Sequence, residues 1–345
     1  MANPNPVPVF DGHNDVLLRL WRGRGPDAAS RFIEGEDKGH IDLPRARKGA
    51  LAGGLCAVYV PSERVLDSDG NWPTPTREEA LEVTTAMAGL LARIEHEAHG
   101  GLKICRSTAD IRAAMVQGSF ASVFHIEGVE AIGADLDLLY LLHAAGLRSL
   151  GPVWSRPNIF AFGVPFRFPS TPDIGPGLSA HGKALIRACN ELRIMVDLSH
   201  INEAGFWDIA KLSTAPLVAS HSNVHAICPH SRNLTDRQLD AIRDTGGLVG
   251  INLGVAFLNP TGERDASLPL SAFVRHVDYV VERIGVDHVA FGSDFDGTTI
   301  SNEIRDVADL PKLVEALRAA GYDGEALAKI AHLNWIRVLE QTWGA

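Results

Sequence analysis

FDGHNDVLLRL, residues 10–20, decides how the rest of the chain is read. Val7, Val9 and Phe10 run apolar, and Asp11, Gly12, His13, Asn14 and Asp15 follow without a break. A strand that ends in a cluster of polar groups is not ordinary core. His13 and Asp15 either hold a metal or decorate a turn, and what the other strands end in bears on the choice.

Short β-branched apolar runs recur at 8–15, 53–60, 120–127, 146–154, 194–200, 216–221, 247–254 and 289–294. Helical patterns separate them. Residues 77–99 place Ala80, Leu81, Val83, Met87, Leu90, Leu91 and Ile94 close to a 3.6-residue period. Segments 136–145, 182–192, 203–212, 235–245, 270–284 and 309–320 read as helices too. Eight alternations of strand and helix predict an α/β fold, a (β/α)₈ TIM barrel forming one domain over residues 1–345. An open doubly wound sheet is the rival, and its GxGxxG signature is absent. The long irregular stretch 155–179, rich in Pro, Phe and Gly, follows the fourth strand and is expected to overhang the face where barrel active sites lie.

The bulk numbers narrow the function classes. With 345 residues, 46 % of them apolar, the chain can bury a large core. A net charge of −10 offers no basic face for nucleic acid. Cys56, Cys105, Cys189 and Cys228 form no CxxC pair, which argues against a disulfide framework and a cysteine zinc site. No basic-plus-apolar leader and no membrane-length apolar run is read, so a cytoplasmic protein without membrane contact is expected.

The strand ends carry the chemistry. They supply His13 and Asp15, then His125 and Glu127, then His200, then His221, and at the eighth strand Asp294 and Asp296. In a barrel these ends share one face. His13 and Asp15 are two apart, so on a strand they point to the same side. His13, Asp15, Glu127, His200 and His221 make one more ligand than a single tetrahedral zinc needs, and two ions sharing Glu127 use all five. His125 either joins them or makes a structural hydrogen bond. Two ions bridging one water bring its pKa toward neutrality and give a hydroxide. Asp294 is then placed to move a proton from that water to a leaving amine, unless it caps a turn, a role that suits Asp296 better. Arg232, on the loop after the sixth strand, either grips a substrate carboxylate or makes a surface ion pair.

The chain resembles the membrane dipeptidase (renal dipeptidase) family of zinc peptidases in the amidohydrolase superfamily. The resemblance runs from about Asp11 to Trp335. It rests on DGHND at 11–15, IEG at 126–128, GLRSL at 146–150, GLSAHGKALI from 177, VDLSH at 196–200, SHSNVHAI at 220–227, SRNLTD at 231–236 and FGSDFDG at 291–297. It implies a (β/α)₈ barrel with two Zn²⁺ per chain, a homodimer, and hydrolysis of dipeptides including L-Xaa-D-Xaa. His13 and Asp15 would hold one zinc, His200 and His221 the other, and Glu127 would bridge. Asp294 would shuttle protons and Arg232 would hold the dipeptide carboxylate.

The chain departs from the family at Trp154, which stands where mammalian members have a histidine that assists the substrate carbonyl. An indole donates one hydrogen bond and carries no proton charge, so carbonyl assistance would fall to the metals or to a group such as Asn158. Two other readings stand beside the dipeptidase one, and the departure at Trp154 supports the first of them. One is an amidohydrolase of the same fold acting on N-acyl amino acids or lactones. The other is a metal-stabilised binding protein without turnover.

Overall fold

In the computed structural model, which describes residues 6–23, 25–62, 65–66 and 72–344, every strand pairing is parallel. In chain order the strands are β1 (Val9–Asn14), β2 (Leu51–Tyr59), β3 (Leu102–Ile104), β4 (Phe120–Glu127), β5 (Leu147–Gly151), β6 (Met195–Val196), β7 (Val218–Ala219), β8 (Leu248–Ile251) and β9 (Val289–Phe291). One sheet runs β1-β2-β4-β5-β6, with β3 paired to the start of β4, and a second runs β7-β8-β9. Parallel bridges between Asp197 and Val218, and between Asn14 and Phe295, lie where the two sheets meet. The result is a curled parallel sheet with helices between its strands, an α/β fold.

The sequence explains the layout. All eight residues of β4 are buried, as expected of a parallel strand covered on both faces. Helix Arg77–Glu97 starts on a capping box, in which Glu79 N–H donates to Thr76 Oγ1 and Thr76 N–H to Glu79 Oε2. Helix Thr108–Gln117 repeats the device with Ser107 and Asp110. On the final helix, Asn334–Trp343, the fully buried Trp335 donates its indole N–H to Phe291 O at 2.9 Å. That ring explains Gly12 in the opening motif: a Cβ there would collide with Trp335 and with Ser220 O.

Several expected strands are shorter than their apolar runs. β5 ends at Gly151, β6 at Val196 and β9 at Phe291. Beyond them the chain leaves the ladder, and buried polar side chains take over the backbone hydrogen bonds. Asp197 Oδ1, for instance, accepts from the N–H groups of Ser199 and Ser220. The sequence reading also passed over β3, a three-residue strand, and the final helix. Stretch 155–179 contains no helix or strand and does lie over the strand ends, where Val164 N–H donates to His200 O at 2.8 Å. The four cysteines are free and buried, and among the described residues no helix is long and apolar enough to cross a membrane.

Candidate metal centre and substrate cavity

Four strand ends bring the predicted ligands together. His13 and Asp15 come from the end of β1, Glu127 from the last position of β4, and His200 and His221 from the turns after β6 and β7. None is more than 5 % exposed. The Nε2 atoms of His200, His221 and His13 lie 2.9, 3.2 and 3.8 Å from Glu127 Oε1. His13 Nε2 is also 3.5 Å from Asp15 Oδ2. Asp294 joins from beyond β9, with one ligand atom each of His13, Asp15 and Asp294 falling within 4.8 Å of one another. His200 and Asp294 both hold left-handed backbone, at φ 68° and 60°, a conformation that concentrates at functional sites.

Buried hydroxyls set the histidine tautomers. Ser220 Oγ donates to Asp197 Oδ2 at 2.6 Å and lies 2.7 Å from His221 Nδ1. The hydroxyl has one proton and gives it to the carboxylate, so His221 must donate from Nδ1, leaving its Nε2 lone pair facing Glu127. Ser155 Oγ stands 2.7 Å from His200 Nδ1. The Asp197–Ser220 pair has a counterpart at β1: Asp11 accepts the Ser293 N–H at 2.7 Å and the Ser293 hydroxyl at 2.6 Å. Each of these serines immediately precedes a site residue, His221 or Asp294.

The electrostatics fit a cation. Burial pushes Glu127 and Asp294 well above the usual carboxylate range, and the charge of Asp15 adds to both shifts. Burial alone would lower His13, but Glu127, Asp15 and Asp294 lift it to about 10. Burial holds His200 and His221 far below the usual imidazole range, so both are neutral and able to coordinate. Three carboxylates crowded without solvent are costly on their own, and a divalent ion makes the same crowding favourable. Buried His13 Nδ1 and Nε2, Asp15 Oδ1 and Glu127 Oε1 also lack hydrogen-bond partners. The donor set is therefore one that a metal completes.

Beside these groups opens a cavity of about 360 Å³ whose lining includes Asp15, Glu127, His200, Asp294 and Trp154. Asn252 Nδ2 donates to Asp294 Oδ2 at 2.8 Å. Gly297 lets the backbone approach, since a Cβ there would collide with Asp15 and Asp294. Arg232 is 4 % exposed and held by Ser222 Oγ at 3.4 Å and His221 O at 3.1 Å, while its Nε has no partner. Burial lowers it to about 10 against the pull of Glu127 and Asp294, so it keeps its charge at neutral pH. It is no surface ion pair.

Two expectations need correction. Asn158 does not line the cavity: its Nδ2 donates to Pro152 O at 2.8 Å and its Oδ1 accepts from Phe160 N–H and Ala161 N–H, so both ends serve its own loop. It is not free to assist a substrate carbonyl. Asp296 caps no turn of its own. It lines the cavity while accepting from Arg19 Nε and His40 N–H. His125 packs its ring edge-on to His13 at 5.6 Å, its Nδ1 is 2.9 Å from Ser149 Oγ, and one ligand atom each of His13, His125 and Asp197 falls within 4.8 Å of the others. Sequence reasoning missed Asp11, Asp197, Ser220 and Asn252. The Asp-x-Ser-His order at 197–200 and the serines before His221 and Asp294 were the available signal.

Comparison with known proteins agrees with this geometry. The family model for membrane dipeptidase, peptidase family M19, matches residues 5–344. A solved metallo peptidase from Rhodobacter sphaeroides, liganded with a phosphinate mimic of the dipeptide L-Ala-D-Ala, is 48 % identical with a TM-score of 0.95, covering 98 % of this chain and 100 % of that one. An uncharacterized protein in the pqqA 5′ region of Klebsiella pneumoniae is 47 % identical over 265 residues, 77 % of this chain and 98 % of that protein. Dipeptidase aclJ of Aspergillus oryzae is 31 % identical over 338 residues, 96 % of this chain and 78 % of that protein.

Proposed function

The chain belongs to the membrane dipeptidase family, peptidase family M19, and is a hydrolase of peptide bonds; from that premise we propose that it cleaves dipeptides at a two-zinc centre held by His13, Asp15, Glu127, His200 and His221. The observation that carries the reading is the convergence of three imidazole Nε2 atoms on one buried carboxylate oxygen of Glu127. His13 and Asp15 would hold one ion and His200 and His221 the other, with Glu127 available to both. Zinc ions bound there would lower the pKa of a water toward neutrality and polarise the scissile carbonyl.

The protein's own groups do the rest. Asp294 takes the proton of the attacking water and returns it to the leaving amine. Asn252 holds Asp294 Oδ2 and so fixes the carboxylate's orientation for the proton transfer. Arg232 is the buried cation assigned to the C-terminal carboxylate of the dipeptide, a reading supported by its lack of an ion-pair partner among the described residues and its unpartnered Nε. Acceptance of a C-terminal D-residue is part of the reading, supported by the L-Ala-D-Ala mimic bound to the Rhodobacter sphaeroides relative. The bridges from Asn14 to Phe295 and from Asp197 to Val218 support reading the curled sheet as a closed (β/α)₈ barrel in one domain. The reading includes a homodimer, which sedimentation tests.

Purified protein given two equivalents of zinc is expected to release both amino acids from L-Xaa-L-Xaa and L-Xaa-D-Xaa dipeptides. Failure to turn over any member of a broad panel, with metal bound, overturns the proposal.

A further inference from the structure

The cavity wall has two unlike ends. Trp154 sits mid-wall, its ring 5.2 Å from Tyr59, 5.8 Å from Trp72, 5.4 Å from Phe166 and 5.9 Å from His200, centroid to centroid. Phe166 in turn stacks on Phe257 at 6.0 Å, and the Arg232 guanidinium lies over Phe257 at 5.7 Å. The order along the wall is therefore Tyr59 and Trp72, then Trp154, then Phe166, then Phe257, with the buried Arg232 next to Phe257 and outside the lining itself. His200 touches the middle of this row, through both Trp154 and Phe166.

At the Tyr59 end a buried cation braces the wall. Arg156, fully buried, lies under both rings at 5.3 Å from the Trp154 centroid and 5.6 Å from that of Tyr59. Its guanidinium donates to Glu130 Oε1, Ser62 Oγ and Val60 O at 2.6–2.7 Å. One buried cation thus ties together the loops after β2, β4 and β5. Gly163 closes the assembly from outside, where any Cβ would collide with Trp154 O. Trp154, Trp72 and Phe166 nonetheless keep part of their surface open to the cavity.

A dipeptide whose carboxylate is at Arg232 and whose scissile carbonyl is at the ligand cluster must extend its N-terminal residue away from Phe257. We infer that the Tyr59–Trp72–Trp154 face is the subsite for the N-terminal side chain, and that it selects large apolar or aromatic residues there over glycine and alanine. The inference rests on the Arg232 reading given above. Its physical basis is a preformed apolar surface: a side chain that covers it removes both surfaces from water, and no ordering of the wall is needed. Filling such a surface is worth about 10- to 100-fold in kcat/KM between a bulky and a minimal side chain.

The test is a kinetic series on the zinc-loaded protein with Gly-, Ala-, Leu- and Phe-D-Ala, set beside Ala-D-Xaa dipeptides. Phe-D-Ala is expected to exceed Gly-D-Ala by at least about tenfold in kcat/KM. Trp154→Ala is expected to reduce that ratio to within about threefold, and Trp154→Phe to recover most of it. Tryptophan fluorescence should be quenched more by a phosphinate mimic of Phe-D-Ala than by that of Gly-D-Ala, and equally by both in Trp154→Ala. Hydrolysis of all four with equal efficiency overturns the subsite while leaving the dipeptidase reading intact. Loss of discrimination against Ala-D-Xaa rather than Xaa-D-Ala in Trp154→Ala also overturns it, by putting the wall at the other residue. No turnover of any substrate overturns both readings.

Discussion

His200 Nε2 lies 2.9 Å from Glu127 Oε1, with both side chains buried. A neutral imidazole this close to a carboxylate, with His221 and His13 near the same oxygen, is an arrangement that a shared cation would complete. The first prediction follows from Glu127 as the shared member. Glu127→Ala should lower bound zinc from two per chain to one or fewer, read by elemental analysis after gel filtration. Full metal content in this variant would remove the bridging assignment.

Asp294 tests the proton transfer separately from the metal. Asp294→Asn keeps the size of the side chain and loses the basic oxygen. A decrease in kcat of about 10²- to 10⁴-fold is expected with zinc content unchanged. If metal is lost along with activity, Asp294 is a ligand and not a shuttle.

Arg232 is tested by removing the charge it is proposed to meet. Arg232→Ala should raise KM strongly for dipeptides and little for the corresponding dipeptide amides. The loss of one buried, charge-assisted pair corresponds to about 10- to 100-fold. Equal effects on both substrate sets would contradict the carboxylate role.

Arg156 is predicted to matter for stability as well as for the cavity wall. Arg156→Met strands Glu130, whose side chain is only 2 % exposed, without its cation. Breaking a buried pair in this way costs about 3–5 kcal/mol. The urea midpoint should fall accordingly, and Arg156→Met/Glu130→Gln should recover part of the loss. A single variant as stable as the parent would show that Glu130 finds another partner.

His276 gives a pH signature away from the metal cluster. Its Nδ1 accepts the Val224 N–H at 3.1 Å and its Nε2 faces Leu258 O at 3.1 Å, which fixes the neutral ring. Burial lowers it from 6.5 to about 4. Between these values the unfolded chain binds the proton and the folded chain does not, so stability is full above pH 6.5 and falls as the pH drops toward 4. The loss amounts to about 3 kcal/mol. The stability difference between wild type and His276→Gln should therefore shrink on acidification through this window. A difference independent of pH would mean the ring titrates alike in the folded and unfolded chain.

Much of the site could be read from the sequence because strand periodicity is local. His13 lies on β1 with Asp15 one residue past its end, and Glu127 closes the buried strand Phe120–Glu127, so their placement at strand ends needs no tertiary information. The parts that stayed hidden depend on contacts between distant segments. Asp11 and Asp197 act through serines brought from distant segments, Ser293 and Ser220, a pairing that nothing local announces. Asn158 fails for the opposite reason, because its hydrogen-bonding capacity is spent within its own turn. Arg156 sits in a loop that reads as solvent-exposed, and only the Glu130 side chain from the loop after β4 explains its burial.

The central claim is a two-zinc dipeptidase centre, and a stoichiometric titration tests it most directly. Metal-stripped protein is given zinc in fractional steps while bound metal and hydrolysis of Phe-D-Ala are followed together. The account predicts that activity rises until two zinc ions are bound per chain and then stays level, and that a chelator abolishes it. Full activity at one ion per chain, or turnover that survives complete metal removal, would contradict it.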